Sequence, residues 1–156
     1  MTGSINGVHH IALSVPDLDI AREFYVGLLG FEEGPGGSWE PGTAMNDRIM
    51  RLKDSSGRAM FVRAGNIFLE FFEFATPRPA PLEPDRPVSN YGYTHMALDV
   101  TDLASIHARL AAAGMDFHTT PLDGYGVSTT YGRDPFGNVI ELQEIFDESH
   151  VKRVVL

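Results

Sequence analysis

The chain has 156 residues, no cysteine, and 21 acidic residues against 12 Lys plus Arg, for a formal net charge of −9. That length supplies one domain, or two small modules fused into one, and buries roughly 68–70% of its unfolded surface. Without cysteine there is no disulfide framework, thiolate metal site or cysteine nucleophile. The acidic balance disfavours phosphate backbones, no apolar run approaches the roughly 18 residues of a membrane span, and Met1-Thr2-Gly3-Ser4 does not open a signal peptide. The expectation is a soluble, cytoplasmic protein with no nucleic-acid or membrane partner.

Residues 8–15 alternate, with Ile11, Leu13 and Val15 on one face and His10, Ala12 and Ser14 on the other. This predicts a strand with one buried face. Pro16-Asp17 starts a helix that carries Leu18, Ala21, Tyr25 and Leu28 at helical spacing, and Gly30 stops it. A strand over 31–34 leads into an extra segment, 35–53. Its Gly34-Pro35-Gly36-Gly37 opening reads as loop, and 42–52 reads as either a short helix or an added strand. Strands over 58–64 and 66–74 meet at a Gly65-Asn66 turn. Prolines 77, 79, 81, 84 and 87 make 75–90 a semi-rigid linker.

The second half repeats the order. Met96, Leu98 and Val100 oppose His95, Ala97 and Asp99, and a helix runs from Thr101-Asp102 through Leu103, Ile106 and Leu110 to Gly114. Strands follow over 115–120, 127–133 and 138–145, the last two joined by the turn Asp134-Pro135-Phe136-Gly137-Asn138. Gly124-Tyr125-Gly126 reads as a flexible loop near a pocket rim.

The halves are echoes. His10-Ile-Ala-Leu-Ser-Val-Pro-Asp-Leu18 lines up with His95-Met-Ala-Leu-Asp-Val-Thr-Asp-Leu103, and Glu70-Phe-Phe-Glu73 with Glu141-Leu-Gln-Glu144. The chain is therefore expected to be α+β, with two paired βαβββ modules forming a curled mixed sheet around a concave metal site. One domain spans 1–156: module one at 7–74, the linker at 75–90, module two at 91–146 and a C-terminal tail at 147–156.

Strand parity selects the chemistry. If Ile67, Leu69 and Phe71 face the helix, Glu70 faces the other way with Phe68, Phe72 and Phe74, and Glu141 does the same opposite Ile140 and Leu142. His10, Glu70, His95 and Glu141 then share the concave side. An unpaired carboxylate on a phenylalanine-rich strand is costly and needs a partner. Two imidazoles and two carboxylates suit one divalent ion: zinc, nickel, cobalt, manganese or ferrous iron. Glu73 and Glu144 have the opposite parity and are expected to meet solvent or a salt bridge. His9 is read as structural. Phe68, Phe72 and Phe74, with Trp39 folding over the mouth, would suit an apolar or aryl-bearing substrate with a chelating oxygen pair; the alternative is that the phenylalanines pack module against module.

His10-Ile-Ala-Leu-Ser-Val-Pro-Asp-Leu, Glu23-Phe-Tyr-Val-Gly-Leu-Leu-Gly-Phe31, Tyr93-Thr-His-Met-Ala-Leu-Asp-Val and Asp134-Pro-Phe-Gly-Asn-Val-Ile-Glu-Leu142 resemble the vicinal oxygen chelate superfamily. That family includes glyoxalase I, methylmalonyl-CoA epimerase, extradiol dioxygenases and the bleomycin and fosfomycin resistance proteins, and the likeness covers 7–146. The resemblance places the metal ligands at His10, Glu70, His95 and Glu141. A carboxylate at Glu70 is similar to the glyoxalase–epimerase type and implies an isomerase, epimerase or lyase working by enolate chemistry. Glu141 is the implied base, and Glu70 the second choice. The glutathione-contacting Arg and Asn of glyoxalase I are replaced by Ser14 and Phe74, so the implied small-molecule substrate is not glutathione-linked. The alternatives are a ferrous extradiol-type dioxygenase and a drug- or metabolite-binding protein without turnover. The resemblance also implies a homodimer, against which the tail Val151–Leu156 would pack.

Overall fold

A computed structural model describes residues 3–154, so the apolar end of the tail, Val155 and Leu156, and the first two residues of the N-terminus lie outside the described residues. The chain divides into two compact units, Met1–Ala80 and Pro81–Leu156.

The first unit contains β1 (His10–Ser14), α1 (Leu18–Arg22), which runs directly into a π-helical segment (Glu23–Leu28), β2 (Glu32–Trp39), α2 (Ala44–Met50), β3 (Ser56–Ala64) and β4 (Ile67–Thr76). The sheet order is β1-β4-β3-β2. β1 lies parallel to β4, and the other neighbours are antiparallel. Asp17 caps α1 by accepting from the amides of Asp19 and Ile20 at 2.7 and 3.1 Å. Leu18 and Ala21 of α1 and Tyr25 of the π-helical segment are buried, as are Val15 and, on the strands, Met60, Val62, Leu69 and Phe71. Tyr25 and Phe71 are in ring contact at 4.6 Å.

In the inserted segment one reading changes and one open alternative is decided. The Gly34-Pro35-Gly36-Gly37 stretch is not a loop but the middle of β2. A register shift between Glu33 and Gly36 absorbs the irregular residues, as a bulge does. A Cβ on Gly36 would stand 2.9 Å from the Ala59 carbonyl oxygen, so the close strand approach requires glycine there. The ambiguous 42–52 stretch is helical at Ala44–Met50. Asp47 ties its exit down by accepting from the amides of Asp54 and Ser55, each at 2.9 Å.

The second unit contains β5 (Met96–Asp99), α3 (Leu103–Ala112), β6 (Asp116–Phe117), β7 (Leu122–Gly124), β8 (Val127–Arg133) and β9 (Val139–Ile145). Its order is β5-β9-β8-β6, with β7 also on β8 and β5 parallel to β9. Leu103 and Leu110 of α3 are buried, as are Ile140 and Leu142 of β9. The Gly124-Tyr125-Gly126 loop proves to be a two-residue hairpin turn. Gly124 pairs with Val127, and Tyr125 and Gly126 take φ values of 54° and 80°, as a type I′ turn requires. The Asp134–Asn138 turn forms as expected. The buried Asp134 carboxylate accepts from the amides of Phe136 and Asn138 and from the Asn138 side chain.

The proline-rich stretch is part of neither sheet after Thr76, and its second half is organised by arginines. Arg86 donates to the carbonyls of Asn90, Tyr91 and Tyr93. Arg133 donates to those of Arg86 and Gly137. Among the described residues, no helix is long and apolar enough to cross a membrane.

Candidate active site

Each unit brings one histidine and one glutamate together by the same backbone register. In the parallel β1–β4 pair, Ala12 lies opposite Glu70, and in the β5–β9 pair Ala97 lies opposite Glu141. The histidine sits two residues before that alanine in both cases, so strand alternation puts His10 on the face of Glu70 and His95 on the face of Glu141. His10 Nε2 is 3.3 Å from Glu70 Oε2. His95 Nε2 is 3.0 Å from Glu141 Oε2. The carboxylates are the more covered partners, at 15% and 14% exposure against 39% and 27% for the imidazoles. Each unit thus holds two donors. Among the described residues no group of three or more candidate ligands forms.

The surroundings of the two pairs differ. Phe61 stands across the strand from Glu70 and edge-on to His10 at 5.7 Å. Burial pushes the Glu70 carboxyl above its ordinary range, opposed by the nearby His10 charge. At the corresponding positions beside Glu141 stand Tyr131, directly across the strand, and Thr129. Thr129 donates its hydroxyl to Glu141 Oε1 at 2.8 Å. The Tyr131 hydroxyl lies 3.4 Å from His95 Nε2, and its pKa is raised, first by burial and then by the Glu141 charge. One pair is therefore set among phenyl rings and the other among hydroxyls.

The aromatic residues expected around a pocket separate into two groups. Trp39 does not hang over a mouth from a loop. It ends β2, meets Phe72 and Phe74 edge-on at 6.0 and 5.5 Å, and donates from Nε1 to Ser55 Oγ at 3.1 Å. Gly57 makes room for it, since a Cβ there would stand 2.7 Å from the indole. Phe68 lies apart, stacked on His9 at 5.6 Å and edge-on to Phe61 at 6.3 Å.

Glu73 forms a salt bridge, with Arg58, as expected, but the second glutamate of each echo also has a capping role that the sequence reading missed. Glu73 accepts from the Leu18 amide at 2.9 Å and from Arg58 at 2.6 Å. Glu144 accepts from the amides of Asp102 and Leu103, both at 2.9 Å. Three residues along a strand is a change of face. In each unit one glutamate therefore meets the histidine while the next one caps the helix covering the other side. The signal was the repeated Glu-x-x-Glu, but a cap supplied from a distant strand leaves no local spacing to read. Glu144→Ala strands two N-terminal amides of α3, that of the buried Leu103 included. It is expected to lower stability by about 1.5–3 kcal/mol, measured by urea unfolding.

A duplicated βαβββ unit with a His–Glu pair in each copy is the architecture of a chelate-type fold, and the comparisons agree. Residues 7–142 match the Glyoxalase/Bleomycin resistance protein/Dioxygenase superfamily, and the chain belongs to it. It is 28% identical over 138 residues to the uncharacterized protein YaeR of Escherichia coli, covering 88% of this chain and 95% of that one. It is 32% identical over 103 residues to a 2-epi-5-epi-valiolone epimerase of an Actinomyces species, covering 62% of this chain and about half (52%) of that relative. A glyoxalase family protein from Bacillus cereus superposes with a TM-score of 0.82 at 20% identity, over 91% of this chain and 95% of that one. The fosfomycin resistance protein FosX of Listeria monocytogenes, solved with Mn(II) and sulfate, gives 0.60 at 17% identity, over 90% and 93%. Divalent-metal binding thus occurs among proteins of this fold.

Proposed function

We propose that the chain is a metal-dependent enzyme of the glyoxalase-like type, an isomerase, epimerase or lyase acting on a small substrate with neighbouring oxygens and no glutathione portion. His10, Glu70, His95 and Glu141 together would hold one divalent ion, in a homodimer. The observation that carries this reading is the pair of identical diagonal His–Glu registers, one in each unit. The donor set fits: two imidazole nitrogens with two covered carboxylates suit zinc, nickel, cobalt, manganese or ferrous iron. A cation also compensates the burial that raises Glu70. The epimerase relative supports proton transfer as the reaction class.

Bound there, the ion would supply Lewis-acid polarisation of a substrate oxygen pair. The residues do the rest. Thr129 fixes Oε1 of Glu141, which makes that carboxylate the better-anchored ligand. The Glu70 carboxylate faces His10, with Phe61 across the strand, and among the described residues it accepts no hydroxyl of this kind. It is the freer of the two to turn toward a substrate carbon and take its proton, so Glu70 would be the base and Glu141, the base that the resemblance implied, would take second place. Tyr131, against Glu141 and His95, would orient the substrate oxygens.

Elemental analysis of purified protein, then removal of the metal with a chelator, tests the reading. About one divalent ion per chain is expected. Stripping should abolish turnover of small α-hydroxy- and α-ketocarbonyl compounds, and adding the ion back should restore it. Turnover that survives complete stripping would refute metal dependence. Oxygen uptake with ring opening of a catechol would move the chain to the dioxygenase class.

A further inference from the structure

In both units the residue immediately before the histidine holds the far side of its ring. Thr94 Oγ1 lies 2.9 Å from His95 Nδ1. His9 Nδ1 lies 2.9 Å from His10 Nδ1, and its ring is fixed by the stack on Phe68. The two preceding residues are chemically unlike, and neither belongs to the repeated motif. Each nevertheless addresses the same nitrogen, while Nε2 of both rings faces the glutamate.

A neutral imidazole carries one proton. If Nε2 gives its lone pair to a cation, the proton sits on Nδ1 and needs an acceptor. We propose that Thr94 and His9 are positioning residues that accept the Nδ1 protons of His95 and His10, so that Nε2 of each ring is the ligating atom. The inference rests on the metal-binding reading above. It assigns His9 a partner role for the cation, with its Nδ1 lone pair as the acceptor and its own proton on Nε2. Such outer partners fix the ring and raise ligand basicity, and their loss weakens metal binding about 10–100-fold.

The test titrates zinc into the metal-stripped protein by calorimetry. Thr94→Val keeps the shape and removes the acceptor; zinc affinity should fall about 10–100-fold. Thr94→Ser should restore it, and the thermal midpoints of the three metal-free proteins should coincide. His9→Phe, which preserves a ring on Phe68, should show a loss like that of Thr94→Val and gives an independent arm if the latter folds poorly. In the zinc-loaded wild type, nitrogen-resolved NMR should find the ring proton of His10 and His95 on Nδ1. Unchanged affinity in Thr94→Val and His9→Phe, failure of Thr94→Ser to rescue, or zinc on Nδ1 would each overturn the inference alone. A wild type that binds no zinc, manganese or nickel would overturn it together with the metal-binding reading.

Discussion

Glu70→Gln is expected to slow exchange of the carbon-bound substrate proton with solvent deuterium by about 100- to 10,000-fold, the contribution of a positioned general base. The amide is nearly isosteric and its oxygen can still approach a cation, so metal content should change less than the rate. Glu141→Gln should behave in the opposite proportion. Its Oε1 takes the Thr129 hydroxyl and its Oε2 faces His95, so on the proposed ligand set the substitution disturbs the better-anchored carboxylate and should show first as lost metal. The two variants are compared by exchange rate and metal content on the same compounds. A larger rate loss in Glu141→Gln, with metal retained, would hand that residue the base role. Undiminished exchange in both would remove both from the chemistry.

The second large effect is on stability. Phe71→Ala should destabilise the protein by about 3–5 kcal/mol, the range for emptying a buried phenylalanine site. Phe71 is fully buried and its ring contacts Tyr25, which is equally inaccessible, so little can collapse into the void. At roughly 2–4 °C per kcal/mol for a chain of this size, the thermal midpoint should drop on the order of 10 °C. Phe74→Ala, at the half-buried edge of the Trp39 cluster, should cost clearly less. Equal losses would mean that the Trp39 cluster carries as much of the fold as the helix-covered face does.

Alternation made much of this legible before any coordinates. A period of two in 8–15 and 66–74 separates His10 and Glu70 from Ile11, Leu13, Leu69 and Phe71, and the structure places the two sets on opposite faces. The repeat then located His95 and Glu141 by copying. Reading failed where a partner far along the chain overrides a local preference. Gly34-Pro35-Gly36-Gly37 has every mark of a loop, yet pairing with β3 extends it. Leu122–Gly124 carries no strand alternation and exists because β8 offers it an edge. Glu144 caps a helix beginning 41 residues earlier, beyond any spacing rule. His9, read as structural, and Thr94 were passed over for a different reason: on the proposal above they perform one task with unlike side chains, so comparing the halves letter by letter does not pair them.

The glutamates spaced three apart on β4 and β9 constrain how such a chain can change. Slipping either strand by one position turns its carboxylates to the wrong faces at once, so the His–Glu pair and the cap at the start of the neighbouring helix are lost in a single event. Insertions and deletions between Glu70 and Glu73, or between Glu141 and Glu144, should therefore be purged as folding failures before they are ever tried as catalytic experiments. Descent can explore these segments only by exchanging one side chain for another, while the length of the two-residue spacer stays locked.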